Sequence, residues 1–208
     1  FEFPLIALVV SGGHTELVLM KDHFEFEILG ETLDDAVGEA YDKVARVVEV
    51  GYPGGPILDK MAKLGKPSYQ LPHVKLSKDS YDFSFSGLKS ALINLHNKCK
   101  MKNEELNYND LATSFQDAVV DVLVTKTSKA ATEYNAKQVL LAGGVAANRR
   151  LRELITEKAK GKRFVSPEIS LCGDNGAMIA AQGYYEYLDG NTGDVNLNGI
   201  ANLNIDYR

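Results

Sequence analysis

The sequence has no tryptophan and only two cysteines, Cys99 and Cys172, in 208 residues. Two thiols this far apart make no disulfide framework, no C-x-x-C pair and no zinc-ligand spacing. Both read as buried or incidental thiols, and a reducing cytosol is the expected location. There is no excess of positive charge: 23 lysines and arginines face 28 aspartates and glutamates, for a net charge of −5. That balance argues against a general polyanion binder, so any nucleic-acid contact must come from a local patch. No apolar run is long enough to span a bilayer and no signal peptide is visible, so no membrane role is expected. G-x-x-x-x-G-K-[ST] and G-x-G-x-x-G are both missing, which excludes a P-loop and a Rossmann fingerprint. H-E-x-x-H and G-x-S-x-G are missing as well, which removes the zincin helix and the serine-hydrolase elbow. Internal repeats and long low-complexity tracts are absent. With 45% hydrophobic and 25% charged residues, the rest is ordinary globular composition, enough for a core.

What the chain does have is glycine in pairs. Residues 139–151 read V-L-L-A-G-G-V-A-A-N-R-R-L. Val139, Leu140 and Leu141 form a short apolar run of buried-strand type, Gly143 and Gly144 follow, and a helix is expected from Ala146. Strand, glycine pair, helix lets a backbone approach a phosphate or ribose, because glycine has no Cβ and a helix start presents free N–H groups. The same layout also serves as a plain strand-to-helix turn. Two further pairs, Gly12-Gly13 and Gly54-Gly55, favour the ligand reading.

Residues 4–10 are continuously apolar and predict a buried strand. Ser11-Gly12-Gly13-His14-Thr15 then turns the chain into a second strand over 16–20, with a third over 24–29. The amides of this hairpin turn could form an anion nest or serve only as a turn. Residues 32–48 predict a helix opened by a capping box, Thr32 to Asp35. Its apolar face is Val37, Ala40, Tyr41, Val44 and Val48. Glu39 with Lys43, and Asp42 with Arg46, stand at i,i+4 and read as solvated ion pairs, or as carboxylates aimed into a cleft. Residues 57–64 predict a short helix with Pro56 in its first turn and Asp59 on its surface. Residues 66–81 read as loop, 82–86 as a strand, 87–97 as a helix capped by Ser86, and 98–106 as a solvated linker. A long helix is expected from Asn109 or Asp110 to about Tyr134, with the stripe Leu111, Phe115, Ala118, Val119, Val122 and Leu123. A short strand over 163–166 and a helix over 177–188 follow, with Asp174 as its cap or as a metal ligand. Residues 189–208 carry no firm structural signal. Basic residues gather at Lys98, Lys100 and Lys102, and again at Arg149, Arg150, Arg152, Lys158, Lys160, Lys162 and Arg163. They read as solvated faces or as a tRNA-backbone footprint. From the residues alone, the chain is an α/β domain with three glycine turns and nearby acids, suited to a nucleotide.

Six stretches in order resemble one family: V-S-G-G-H-T at 10–15, D-D-A-V-G-E-A-Y-D-K at 34–43, Y-P-G-G-P at 52–56, D-F-S-F-S-G-L-K at 82–89, A-G-G-V-A-A-N-R-R-L at 142–151 and C-G-D-N-G-A-M-I-A at 172–180. The family is the tRNA threonylcarbamoyladenosine transferase, TsaD, formerly O-sialoglycoprotein endopeptidase. The resemblance implies an actin-like ATPase fold, as in Hsp70 and sugar kinases. It implies transfer of threonylcarbamoyl from threonylcarbamoyl-adenylate to N6 of the adenosine beside the tRNA anticodon. By motif, Val9, Val10, Ser11, Gly12 and Gly13 would form the phosphate- and substrate-binding turn. Asp42, Gly55 and Asp59 would contact the adenylate or ATP, Asn148 would help hold it on the adenosine side, and Gly143 and Gly144 would belong to the same nucleotide-binding set. Asp174 would ligate iron or zinc together with two histidines of an H-x-x-x-H motif. The family implies tRNA, a paralogous partner subunit and a small ATPase as partners in bacteria, and a cytoplasmic location.

The chain departs from the pattern at its start. Its histidines, His14, His23, His73 and His96, form no H-x-x-x-H. It is therefore expected to be the C-terminal actin-like lobe, residues 1–208, with a helical insertion at about 66–135, of a longer two-lobed protein. Weak or no metal binding and no transfer by this piece alone are expected, and no residue is assigned as catalytic base. A non-catalytic actin-like scaffold, a metallopeptidase and a small-molecule kinase are the competing readings.

Overall fold

The structure, a computed structural model, describes residues 1–72, 76, 77, 79–159, 161–200, 203 and 205. Its frame is a five-stranded sheet ordered β3-β2-β1-β4-β5. Strands β1 (Leu5–Val10), β2 (Thr15–Asp22) and β3 (Glu25–Glu31) form an antiparallel meander. Strands β4 (Gln138–Ala142) and β5 (Arg163–Val165) add on in parallel, β4 directly against β1. The α/β class expected from the sequence is borne out.

The continuous apolar run of β1 follows from its central place, because both of its faces are covered. Ile6, Leu8 and Val10 face the main core, while Leu5 and Ala7 share the other face with Val18, Met20 and Phe26. On the main face lie helices α1 (Val37–Val47), α2 (Gly54–Ala62), α3 (Ser86–Lys102), α4 (Tyr108–Glu133) and α5 (Arg149–Lys158). Tyr41, Leu58, Leu88, Phe115 and Leu151 bring all five into one core with Leu8 and Leu141. The last helix, α6 (Gly176–Leu188), has no buried residue.

Several expected boundaries move, each for a local reason. Helix α1 starts at Val37, and no capping box forms. Its first amides are satisfied from the hairpin instead: Val37 N–H donates to Thr15 Oγ1 at 2.9 Å and Gly38 N–H to the Ser11 carbonyl at 3.1 Å. Asp35 is engaged elsewhere, by Lys43 at 2.6 Å and Lys89 at 2.7 Å. Residues 82–86 make no strand, only a bridge from Phe83 to Thr32. Asp34 clamps this segment, accepting from the Phe85 and Ser86 amides and the Ser84 and Ser86 hydroxyls. Helix α3 runs on to Lys102 because Cys99 is buried under it, and it stops at Asn103 in a left-handed conformation, φ 53°. Helix α4 is capped by Asn107, whose side chain accepts from the Asn109 and Asp110 amides. Helix α2 starts at Gly54, three residues before the expected start, and α5 starts at Arg149. Asn175, not Asp174, caps α6, with Oδ1 accepting from Met178 N–H at 3.0 Å. Gly176 is already helical, so the capping position falls on the residue just before it. His73, Lys160 and the end of the tail lie outside the described residues.

Candidate functional site

The parallel pairing of β1 with β4 sets the ends of the two strands side by side, Val9 opposite Ala142. Gly143 continues from β4 at φ 90° and ψ 170°, and a Cβ there would lie 2.3 Å from the Val10 carbonyl oxygen. Only glycine fits that backbone and that approach. The chain then makes a 3-10 turn, Gly144–Ala147, and Asn148 caps α5 with Oδ1 accepting from Leu151 N–H at 2.9 Å. Across from this turn, Gly38 lets the start of α1 sit against Gly12. Asp42 on α1 then draws in the next helix: its Oδ1 accepts from Gly54 N–H at 2.7 Å.

These contacts enclose a cavity of about 420 Å³, within the usual range for small-molecule sites. Gly12, Tyr41, Asp42, Gly55, Asp59, Gly144, Val145 and Asn148 line it, with Lys60 and Lys63 among the exposed residues at its wall. Gly55 and Gly144 are open: a Cβ at either would meet no protein atom within 4 Å. Packing does not require glycine at these two positions, so their effect is to leave room in the cavity.

A buried polar chain backs this wall. Gln116, on α4, is 2% exposed. Its Oε1 accepts from Asn148 Nδ2 at 2.8 Å and from the Tyr41 hydroxyl at 3.4 Å, and its Nε2 donates to Asp59 Oδ1 at 3.1 Å. Burial, with the charges of Asp59 and Asp117 nearby, raises the Tyr41 phenol well above its usual range, so it stays a neutral donor. The sequence does not single out Gln116; Tyr41, placed on the apolar face of α1, is indeed buried in the core, and its hydroxyl reaches Gln116. The available signal was an amide inside the apolar segment 111–124.

The site residues expected from sequence divide into two groups. Gly12, Asp42, Gly55, Asp59, Gly144 and Asn148 come together at the cavity. Val9, Val10, Ser11, Gly13 and Gly143 do not line it; they shape the strand ends and the hairpin behind it. Ser11 Oγ accepts from the Gly13 and His14 amides at 3.2 and 3.0 Å, so two of the expected nest amides are already engaged. Asp42 pairs with the α2 backbone instead of Arg46, whereas Glu39 and Lys43 do form their ion pair at 2.7 Å. Asp174 is exposed and lies off the cavity wall. Among the described residues no three His, Cys, Asp or Glu side chains come together to hold a metal. The donor set of the described residues does not by itself fit an iron or zinc centre.

Part of the expected basic footprint is engaged within the chain, in surface ion pairs and hydrogen bonds. Arg150 pairs with Asp117 at 2.9 Å, Arg149 with Glu153 at 2.7 Å and Arg163 with Glu2 at 3.1 Å. Arg152 ties α5 to the Ser166 hydroxyl and the Pro167 carbonyl, and Lys162 donates to the Ala136 carbonyl.

The profile of the TsaD family, tRNA N6-adenosine threonylcarbamoyltransferase, matches residues 1–181. The chain belongs to this family. It is 57% identical over 208 residues to a tRNA N6-adenosine threonylcarbamoyltransferase of Bacillus cereus, covering 99% of this chain and 61% of that protein. It is 54% identical over 206 residues to the protein of that name in Staphylococcus epidermidis, covering 98% and 61%. The chain thus spans about three fifths of the length of these relatives. Among solved structures, full-length HypF in its phosphate- and nucleotide-bound form superposes with a TM-score of 0.67 at 15% identity, over 90% of this chain and 34% of that one. That likeness shows a shared fold. Both cysteines of the chain, Cys99 and Cys172, are free and buried. Among its described residues no helix is long and apolar enough to cross a membrane.

Proposed function

We propose that this chain is the adenine-nucleotide-binding lobe, residues 1–208, of a longer actin-like tRNA N6-adenosine threonylcarbamoyltransferase. One observation carries the reading: residues from four separate motifs, Gly12, Asp42, Gly55 with Asp59, and Gly144 with Asn148, meet at one cavity. In the parent reaction, N6 of the adenosine beside the anticodon bonds to the carbamoyl carbon of threonylcarbamoyl-adenylate. The bond from that carbon to the phosphate oxygen breaks, AMP leaves and one N6 proton is released. This lobe contributes positioning, which lowers the barrier by holding the adenylate in a reactive geometry. Asp59 and Asp42 offer acceptors to ribose hydroxyls, and the open positions at Gly55 and Gly144 admit the nucleotide. For an iron or zinc ion Asp174 would supply one ligand, and the further ligands would have to come from outside the described residues. Partners in the same proposal are tRNA, a paralogous subunit and a small ATPase, in the cytoplasm.

Titration with AMP and ATP by calorimetry tests the reading. The expected outcome is micromolar binding that the double variant Asn148→Leu/Gly144→Val loses. A folded chain that binds neither nucleotide would overturn it. A non-catalytic scaffold has no observation in its favour here, since the three glycine turns and the cavity acids are all in place.

A further inference from the structure

Gln116 is a costly residue where it stands. It lies in the core stripe of α4, 2% exposed, between Phe115 and Asp117. A side-chain amide buried this way is unfavourable unless its donors and acceptor are matched, and an apolar residue of similar size would suit the helix better. Its partners are Tyr41, Asn148 and Asp59, three residues of the cavity wall reached from three different elements. Only an amide suits this place. Glutamate would offer acceptors alone and lysine donors alone, whereas glutamine accepts from Asn148 and Tyr41 and donates to Asp59 with one group.

The two cavity residues are thereby fixed in polarity as well as in place. Asn148 has Oδ1 committed to Leu151 N–H and one N–H committed to Gln116. Asp59 has Oδ1 committed to Gln116, and no described hydrogen bond uses Oδ2. We propose that Gln116 is a positioning residue that sets the ligand selectivity of this cavity. By holding Asp59 Oδ1 and one N–H of Asn148, it leaves the other carboxylate oxygen, Oδ2, and the other N–H as a fixed acceptor–donor pair for a ligand. The matching ligand offers a hydroxyl to the first and an acceptor atom to the second, as the sugar and base of a purine ribonucleoside do. This rests on the nucleotide reading above.

The test compares AMP with 2′,3′-dideoxy-AMP by calorimetry, in the wild-type chain and three variants checked for folding by circular dichroism. Wild type is expected to prefer AMP by about tenfold or more, the size of a charge-assisted hydrogen bond. Gln116→Met keeps the volume and loses the hydrogen bonds, so the two nucleotides should bind within about threefold of each other. Gln116→Glu sets a carboxylate beside that of Asp59 and should also lose the preference. Gln116→Glu/Asp59→Asn restores the donor–acceptor pair with the groups exchanged and should recover it. A purely structural role would weaken both nucleotides equally, leave their ratio unchanged and gain nothing from the second substitution. That result, or a wild type with no preference, would overturn the role of Gln116 while the nucleotide site stood. Failure of the folded wild type to bind AMP at all would overturn both.

Discussion

At the scale of single residues, the two glycines of one pair have opposite duties. Gly143 is demanded by the protein, with φ 90° and a Cβ position 2.3 Å from the Val10 carbonyl oxygen. Gly144 is demanded by nothing in the protein, since a Cβ there is free of contacts within 4 Å. Gly143→Ala is therefore expected to cost about 3 kcal/mol or more, through backbone strain and the collision with β1. Gly144→Val should cost under about 1 kcal/mol yet fill the cavity, lowering AMP affinity by tenfold or more. Urea unfolding of each variant, paired with AMP titration, separates the two duties. Equal destabilisation by both, or a Gly144→Val chain that still binds AMP normally, would show that the pair works as a simple turn. Asn148 joins both kinds of duty in one side chain: it caps α5 through Oδ1 and faces the cavity with its amide. Its loss should lower stability and binding together, which is why Gly144 is the cleaner probe.

At the scale of elements, the segment before α3 is held to the start of α1 by one carboxylate. Asp34 accepts from the Phe85 and Ser86 amides and the Ser84 and Ser86 hydroxyls. Partial burial pushes its carboxyl pKa up, but these four donors outweigh burial and hold it below the ordinary 3.8. The sign follows. A carboxylate with a depressed folded pKa binds fewer protons than in the unfolded chain, so its stabilisation is complete above pH 3.8 and is lost as pH falls through the folded value. Asp34 is exposed, so solvent screening limits the effect: Asp34→Asn should be less stable than wild type at pH 7 by under about 1 kcal/mol, and the gap should close as the pH falls below 3.8 through the folded value. Urea midpoints at three pH values read this directly, and a gap independent of pH would show that the charge is not what holds the clamp. This clamp also marks the limit of sequence reading. Strands β1, β2 and β4 and the stripe of α4 were legible because their apolar periods are local. The start of α1 was not, because its first amides are satisfied by Thr15 and Ser11, which lie 22 and 27 residues earlier in the chain. Residues 82–86 alternate like a strand but lie beside Asp34 and Thr32, and no pattern within the segment shows that. Of the site, the glycine turns and acids were visible as residue types with an expected chemistry, and Gln116 was hidden by the apolar stripe around it.

At the scale of the whole molecule, stability is unevenly shared. The sheet and α1 to α5 belong to one contiguous core in which Leu8, Tyr41, Phe83, Phe115, Leu141 and Leu151 are nearly or fully buried. Helix α6 buries nothing, and it carries Met178, Ile179, Tyr184, Tyr187 and Leu188 exposed. Its described ties to the rest are slight, the chief one being Tyr185 stacked on His23 at 4.8 Å between ring centroids. A helix of 13 residues without an apolar face against a core is marginal in water. Native-state hydrogen exchange should therefore rank the elements, because local opening is governed by the buried contacts it must break. Amides in the middle of α4, around Phe115 to Leu123, should exchange only through global unfolding. Those of α6 should exchange at least about a hundredfold faster, through openings that leave the sheet intact. Thermal unfolding followed by the signals of β1 and α4 should still be a single transition, because their residues share the same core. If α6 proved as protected as α4, it would have to be docked on the sheet in solution, and the exposed apolar residues it carries would then be buried.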